Sequence, residues 1–215
     1  MNLDAQNKPP LSFYNVGADV SGGTRATPSC LSVFDGTNGK KAAEYRNNHI
    51  RPEDFGRRTV ALCRLFYSAE MVWEHLGPGV AFGQTVIDLG YANLYRKVKF
   101  DKMGQPRSDT YGWNPAGVAK STILRDYDAA LHKRECLNPS REALEECLIF
   151  KYDDRGGVIH TDEENAFGSR AAQNHGDMVI SDAMCWMLVK RGGRLSHLKA
   201  KKETERLERE WIDPR

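Results

Sequence analysis

The sequence predicts an α/β domain with one mixed β-sheet, in which an antiparallel meander is joined by parallel strands and flanked by helices. Three observations support this prediction. The chain opens with apolar runs separated by turn residues, it continues with apolar residues at helical spacing, and three apolar segments end or begin at an acidic residue. With 215 residues, of which 40% are hydrophobic and 28% charged, the chain suits one domain with a buried core.

The first three strands are predicted from apolar runs with turn residues between them. Residues 14–20 form a buried strand that ends near Asp19, followed by a turn rich in Ser and Gly. Residues 29–35 alternate as a second strand. A strong turn signal over 36–39 then returns the chain along residues 41–46 as a third strand, which completes a meander.

Helical and extended patterns then alternate. Pro52 begins a helix with acidic residues in its first turn, and a short apolar strand ends at Glu74. A helix over about residues 80–89 follows. The residues from Asn93 to Tyr111 read as a polar hairpin with an exposed tip.

The second half of the chain contributes three predicted helices and two short strands. Asn114-Pro115 should cap a helix that runs to about His132, and Asn138-Pro139 should cap another that ends near Leu148. Short strands are expected over 149–152 and 157–160. A further helix opens at Asp177. The predicted boundaries are 1–12 for a linker, 13–192 for the domain and 193–215 for a charged helix or tail.

The three acidic residues at element edges are the main functional signal. Asp19 ends the first strand, Glu74 ends the fourth, and Asp177 opens the last helix. A carboxylate beside a buried strand is poorly solvated unless a positive group meets it. Converging carboxylates suit Mg²⁺ or Mn²⁺, and such sites often act on phosphate esters. The alternative is that each acid caps a turn or helix, which is a serious possibility for Asp177.

This order of elements and acids is the ribonuclease-H-like order, and shorter segments resemble one family within it. Residues 17–23 look like the first acidic strand of the nuclease domain of tailed-phage large terminase subunits. The resemblance continues over roughly residues 14–190 in four further segments, which are 74–79, 91–96, 111–120 and 174–177. Two positions depart from the family pattern, which often has Asn at Leu76 and Asp at Gly176.

The resemblance implies an endonuclease that uses two Mg²⁺ or Mn²⁺ ions to cut double-stranded DNA with little sequence preference, as in processing concatemeric viral DNA. Asp19 would be the central metal ligand, Glu74 and Asp177 the outer ligands, and Asp182 an auxiliary ligand. The expected partners are an ATPase motor domain, a small terminase subunit and a portal, in the cytoplasm of an infected bacterium. The chain lacks a Gly-x-x-x-x-Gly-Lys-Ser/Thr motif, so it is not expected to be the motor itself.

Basic residues near the predicted hairpin are candidate DNA contacts. The net charge of +2 is too small to indicate nucleic-acid binding, so a local patch is needed. The candidates are Arg96, Lys97, Lys99, Lys102, Arg107 and, on a helix, Lys120. Phosphate contacts of this kind are independent of sequence. The alternative is a solvated hairpin whose lysines protect an edge strand.

Two other functions remain open at this point. The first is another ribonuclease-H-like enzyme of the resolvase or integrase type, although the long 80–160 segment argues against the smallest of these. The second is a degenerate domain that binds DNA or the packaging ring without cutting.

The five cysteines are irregularly spaced, which argues against a zinc site and against a disulfide framework. No signal peptide and no membrane span is predicted, so no membrane partner is expected.

Overall fold

The computed structural model describes most of the predicted domain. The described residues are 3–5, 7–25, 27–100, 106–115, 119–152, 157–160 and 176–192. The predicted tail over 193–215 and the candidate DNA contact Lys102 lie outside these ranges.

The central sheet contains the four predicted strands in the order β3-β2-β1-β4. Their bounds are Tyr14–Asp19 for β1, Ser29–Asp35 for β2, Lys40–Asn47 for β3 and Glu70–Trp73 for β4. β1, β2 and β3 form an antiparallel meander, and β4 pairs in parallel with β1. The predicted mixed sheet is therefore confirmed, and the final residues of β1, β3 and β4 lie at the same edge.

An interrupted strand lies beside β4. Leu94 bridges Met71 of β4, and further along Trp113 bridges Glu74, directly after β4; both bridges are parallel. Between them the chain leaves the sheet as a hairpin of β5, Arg96–Phe100, and β6, Pro106–Tyr111. The hairpin closes at its base, where the Gly112 amide donates to the Tyr95 carbonyl over 3.1 Å. The predicted hairpin is thus an insertion into a fifth sheet position.

Helices cover the sheet and create two apolar cores. One core contains side chains of α1, Pro52–Leu65, and α2, Pro78–Asp88. The other contains side chains of α3, Ala119–His132, and α5, Asp177–Arg191. The short helix α4, Arg141–Cys147, and a small sheet of β7, Phe150–Tyr152, and β8, Val158–His160, complete the described elements. Within the described part of the chain, no helix has the length and apolar character to cross a membrane.

One predicted helix start differs from the structure. Helix α4 is capped by Ser140, whose Oγ accepts a hydrogen bond from the Ala143 amide over 3.3 Å. Asn138 instead points its amide group toward Asp182, at 2.8 Å, because that buried carboxylate needs donors. The described part of α3 begins at Ala119, and residues 116–118, between it and the predicted cap Asn114-Pro115, lie outside the described residues.

Candidate metal centre

Helix α5 is positioned on the sheet by contact with Gly17 of β1. A methyl group at Gly17 would lie 2.2 Å from the Ser181 carbonyl oxygen and 2.6 Å from the Cys185 amide nitrogen. Further along, the Cys185 thiol donates to the Asn15 carbonyl over 3.0 Å. These two contacts show that α5 runs antiparallel to β1.

This direction brings two of the predicted acids to the same place. Asp177 lies one helical turn before Ser181, about 6 Å along the axis. Asp19 lies two residues after Gly17, also about 6–7 Å along the strand. Because the helix and strand run in opposite directions, both steps lead to the same edge of the sheet. The absence of a side chain at Gly17 thus permits Asp177 to approach Asp19.

Glu74 reaches that edge from the neighbouring parallel strand. Ala18 is in register with Trp73, so Asp19 and Glu74 are the next residues on adjacent strands. The chain then folds back tightly, because a methyl group at Gly79 would lie 1.8 Å from the Glu74 carbonyl oxygen. Gly77 permits this turn with a φ of +50°, in the left-handed region.

The three carboxylates share one electrostatic environment. Burial raises the pKa of Asp19 well above its ordinary value, the charges of Asp177 and Glu74 raise it further, and Lys120 opposes them. Burial also raises the pKa of Glu74, again opposed by Lys120. Asp19 therefore lies within electrostatic range of Asp177, Glu74 and Lys120, and its ionised carboxylate is unfavourable without additional positive charge.

The donor set fits a hard divalent cation. Three carboxylates from three different elements supply the oxygen ligands that Mg²⁺ and Mn²⁺ prefer. Among the residues that the structure describes, however, no three His, Cys, Asp or Glu side chains already form a group close enough to hold a metal ion. Asp19, Glu74 and Asp177 are the residues that would hold a cation at this edge of the sheet.

Asp182 lies in a separate buried network. Its side chain is fully buried and forms an ion pair with Lys41 at 2.8 Å. It also accepts hydrogen bonds from Ser32 and, at 3.1 and 2.8 Å, from Tyr127 and Asn138. Burial raises the pKa of Asp182, whereas Lys41 and the hydrogen bonds favour its carboxylate form. These contacts lend no support to the prediction that Asp182 assists metal binding.

The candidate DNA contacts fall into two positions. Arg96 and Lys97 are exposed at the base of the hairpin, where the Arg96 guanidinium donates to Tyr111 Oη over 2.7 Å and lies 4.7 Å from its ring centre. Lys99 and Arg107 are residues of β5 and β6. Lys120 is exposed in the first turn of α3, close enough to the carboxylates to lower the pKa of Asp19 and Glu74.

Reasoning from the sequence missed one further pair, Arg46 and Glu146. Glu146 is 3% exposed, and its carboxylate accepts a hydrogen bond from the amide of Met178, directly after Asp177. Arg46 donates to the same carboxylate over 3.1 Å. These residues are 100 positions apart, and no local motif joins them. The one available signal is an acidic residue facing inward on the short helix α4.

The fold has clear counterparts among solved structures. Comparison with protein-family models and with curated proteins finds no match. The chain is similar to the large terminase nuclease from thermophilic phage G20c with bound magnesium, at 20% identity and a TM-score of 0.60, over 84% of this chain and 83% of that one. It is also similar to the large terminase nuclease domain of Thermus phage P74-26, at 18% identity and a TM-score of 0.59, over 83% of this chain and 80% of that one.

These similarities extend over more than four fifths of this chain. Structures of the G20c nuclease with bound cobalt and with bound zinc match to the same extent, each with a TM-score of 0.60. At this level of identity the likeness concerns the fold, which agrees with the order of elements predicted from the sequence. The chain therefore shares its fold with the nuclease domains of these phage large terminases.

Proposed function

We propose that this protein is a metal-dependent endonuclease that cuts double-stranded DNA with low sequence specificity, as in the processing of concatemeric viral DNA during genome packaging. The observation that carries the proposal is that strand register and the packing of α5 on β1 direct Glu74, Asp177 and Asp19 to one sheet edge, within electrostatic range of Lys120. The similar phage proteins are named as terminase nucleases, and structures of one contain magnesium, cobalt or zinc.

Asp19, Glu74 and Asp177 are the residues that would hold two Mg²⁺ or Mn²⁺ ions, with Asp19 as the central ligand. When bound, two such ions supply activation of a water molecule and stabilisation of the leaving oxygen. The chain fixes the ligands through its backbone. Asp19 and Glu74 follow neighbouring parallel strands, and Asp177 opens a helix that is packed directly on β1.

The basic residues would hold the DNA backbone beside the metal centre. The hairpin leaves the sheet next to β4. Trp113, where the hairpin ends, donates its amide to the Trp73 carbonyl over 2.7 Å, and its carbonyl accepts from the His75 amide over 2.7 Å. Arg96 and Lys97 are therefore near the strand that Glu74 follows, and Lys99 and Arg107 belong to β5 and β6. Lys102 stays a candidate contact from the sequence alone. Lys120 approaches from the helical side. Contacts to phosphates explain low sequence specificity.

The wider setting follows from the same proposal. The chain would act in the cytoplasm of an infected bacterium, with an ATPase motor domain, a small terminase subunit and a portal as partners. Asp182 would have a structural role, because its carboxylate is fully committed to Lys41 and neighbouring donors in the core.

Plasmid cleavage tests this function. Purified protein is incubated with supercoiled plasmid and Mn²⁺, Mg²⁺ or EDTA, beside Asp19→Asn and, as a matched control, Asp88→Asn. Asp88 is an exposed acid that contacts Gln84. The expected result is metal-dependent nicking and linearisation by the wild type and the control, and none by Asp19→Asn.

A different pattern would change the assignment. Preferential cutting of a branched substrate over linear duplex would favour a junction resolvase. If no metal supports cleavage, calorimetry with Mn²⁺ decides between two cases. Binding that Asp19→Asn abolishes would indicate a nuclease that is inactive without its motor, whereas no binding by the wild type would indicate a non-catalytic domain.

A further inference from the structure

The first turn of α5 receives its cap from another helix. The residue before it, Gly176, adopts a left-handed conformation with φ of +70° and has no side chain with which to cap the helix. Four amides at a helix start lack partners within the helix. The amide of Met178 donates instead to Glu146 Oε2 of α4, over 2.9 Å.

Glu146 is itself held in place from the sheet. Arg46 of β3 donates to its other carboxylate oxygen, Oε1, over 3.1 Å. Arg46 is in register with Cys30 of β2, and Cys30 is in register with Asp19 of β1. The ion pair and the central candidate ligand therefore belong to one row across the sheet. Through this row, the start of α5 is fixed relative to the strand that carries Asp19.

The chain that enters α5 is also packed against the α4–β7 segment. A methyl group at Gly176 would lie 2.5 Å from the ring of Phe150. Met178 is fully buried against Cys30 and Ala143. Thus Asp177 lies between two residues whose backbone positions are fixed by contacts with the same segment, and a shift in that segment would move its carboxylate.

We propose that Glu146, supported by Arg46, is a positioning residue that caps α5 and thereby fixes the Asp177 carboxylate opposite Asp19. The inference rests on the proposed function for its consequence in metal binding. Its structural part is independent of metal, because the cap acts on the backbone amide of Met178. Neighbours that orient metal ligands typically contribute tenfold to a hundredfold in metal affinity.

Four variants test this role. Glu146→Leu removes the acceptor, and Glu146→Gln keeps an oxygen acceptor at the same position. Arg46→Met removes the group that holds the carboxylate. Tyr91→Phe is the stability control, since it deletes a buried hydrogen bond to the Ala69 carbonyl in the other core. The measurements are hydrogen exchange of the amides of residues 178–180 without metal, and calorimetry with Mn²⁺.

In Glu146→Leu, we expect amide exchange in the first turn of α5 to be about fivefold faster or more. We also expect Mn²⁺ affinity to fall at least tenfold. Arg46→Met should change both quantities in the same direction by a smaller factor. Glu146→Gln should restore slow exchange and affinity within about threefold of the wild type. Tyr91→Phe should lower the melting temperature and leave both quantities unchanged.

The outcomes separate this inference from the proposed function. Unchanged exchange in Glu146→Leu, or an equal loss in Glu146→Gln, would overturn the capping role. Faster exchange with unchanged Mn²⁺ affinity would overturn the link to Asp177, while leaving the proposed function intact. No Mn²⁺ binding by the wild type would overturn the proposed function and, with it, the link to metal.

Discussion

The carbonyl oxygen of Ser181 faces Gly17 so closely that a methyl group at position 17 would lie 2.2 Å from it. This contact sets the separation between α5 and β1 and therefore between Asp177 and Asp19. The nearest atoms to the added methyl group, the Ser181 carbonyl oxygen and the Cys185 amide nitrogen, belong to the backbone, so no flexible side chain can move aside.

We expect Gly17→Ala to displace α5 and to separate the two carboxylates. Overpacking of this kind typically costs about 1–3 kcal/mol in the free energy of unfolding. A displacement of about 1 Å can reduce catalysis about a hundredfold. Urea unfolding and metal-dependent plasmid cleavage measure the two effects. Gly22→Ala is the control, because its added methyl group would meet only the Thr24 side chain at 3.7 Å; equal effects in both variants would contradict the prediction.

We expect Asp19→Asn to stabilise the protein in EDTA at neutral pH. Burial, Asp177 and Glu74 raise the pKa of Asp19 above its ordinary 3.8, so the folded state retains a proton that the unfolded state releases. Stability of the metal-free wild type therefore decreases as pH rises from 3.8 through the raised pKa. The variant carries no ionisable group at position 19, so its stability does not decrease with pH for this reason.

Thermal melts in EDTA between pH 4 and pH 8 measure this difference. The melting temperature of Asp19→Asn should exceed that of the wild type by a few degrees near pH 8, and the gap should shrink toward pH 4. Adding Mn²⁺ should stabilise the wild type but not the variant. A gap that stays constant with pH would count against the assigned titration, and Asp88→Asn serves as the exposed control.

We expect Lys41→Met to be among the most destabilising single substitutions. It leaves the fully buried Asp182 carboxylate without its cation, a change that typically costs about 3–5 kcal/mol. The double variant Lys41→Met, Asp182→Leu should recover much of this loss, because it removes both charges from the core. Urea unfolding of the single and double variants measures the coupling free energy between Lys41 and Asp182.

The same network separates a structural role of Asp182 from a role in metal binding. Asp182→Asn should lower the free energy of unfolding and leave the Mn²⁺ affinity, measured by calorimetry, near that of the wild type. A loss of affinity as large as that of Asp177→Asn would instead restore Asp182 as an auxiliary ligand.

We expect Lys120→Gln to weaken DNA binding without changing its sequence preference. Loss of one phosphate contact should reduce the slope of log affinity against log salt by about one. Titration of a duplex at several salt concentrations measures the slope. Lys133→Gln, an exposed lysine beyond the other end of α3, is the matched control and should leave the slope unchanged. Equal slopes for all three proteins would remove Lys120 from the DNA interface.

Local patterns were enough to predict most of the fold. The runs that became β1 and β2 and the start of α5 at Asp177 were correctly placed, because burial and period decide them locally. The residues that cap the helices were harder to predict. Asn138 is a good capping residue by type, yet Ser140 caps α4, since the buried charge of Asp182 attracts the Asn138 amide.

The candidate site was predicted in part for the same reason. Asp19, Glu74 and Asp177 could be found because each stands at the edge of an apolar segment. Arg46 and Glu146 could not, because their contact depends on how α4 packs against β3 and α5. The surroundings of Asp182 likewise depend on Lys41, 141 residues away along the chain.

Because the basic hairpin interrupts the fifth strand, it is an insertion that can vary independently of the sheet. The two ends of the hairpin are joined by the hydrogen bond from the Gly112 amide to the Tyr95 carbonyl. The residues before and after the hairpin, Leu94 and Trp113, pair with Met71 and Glu74. Length or charge can therefore change between Arg96 and Tyr111 without shifting the register of β4 or the position of Glu74. Such changes would alter the proposed DNA contacts of the hairpin and leave the candidate metal ligands in place.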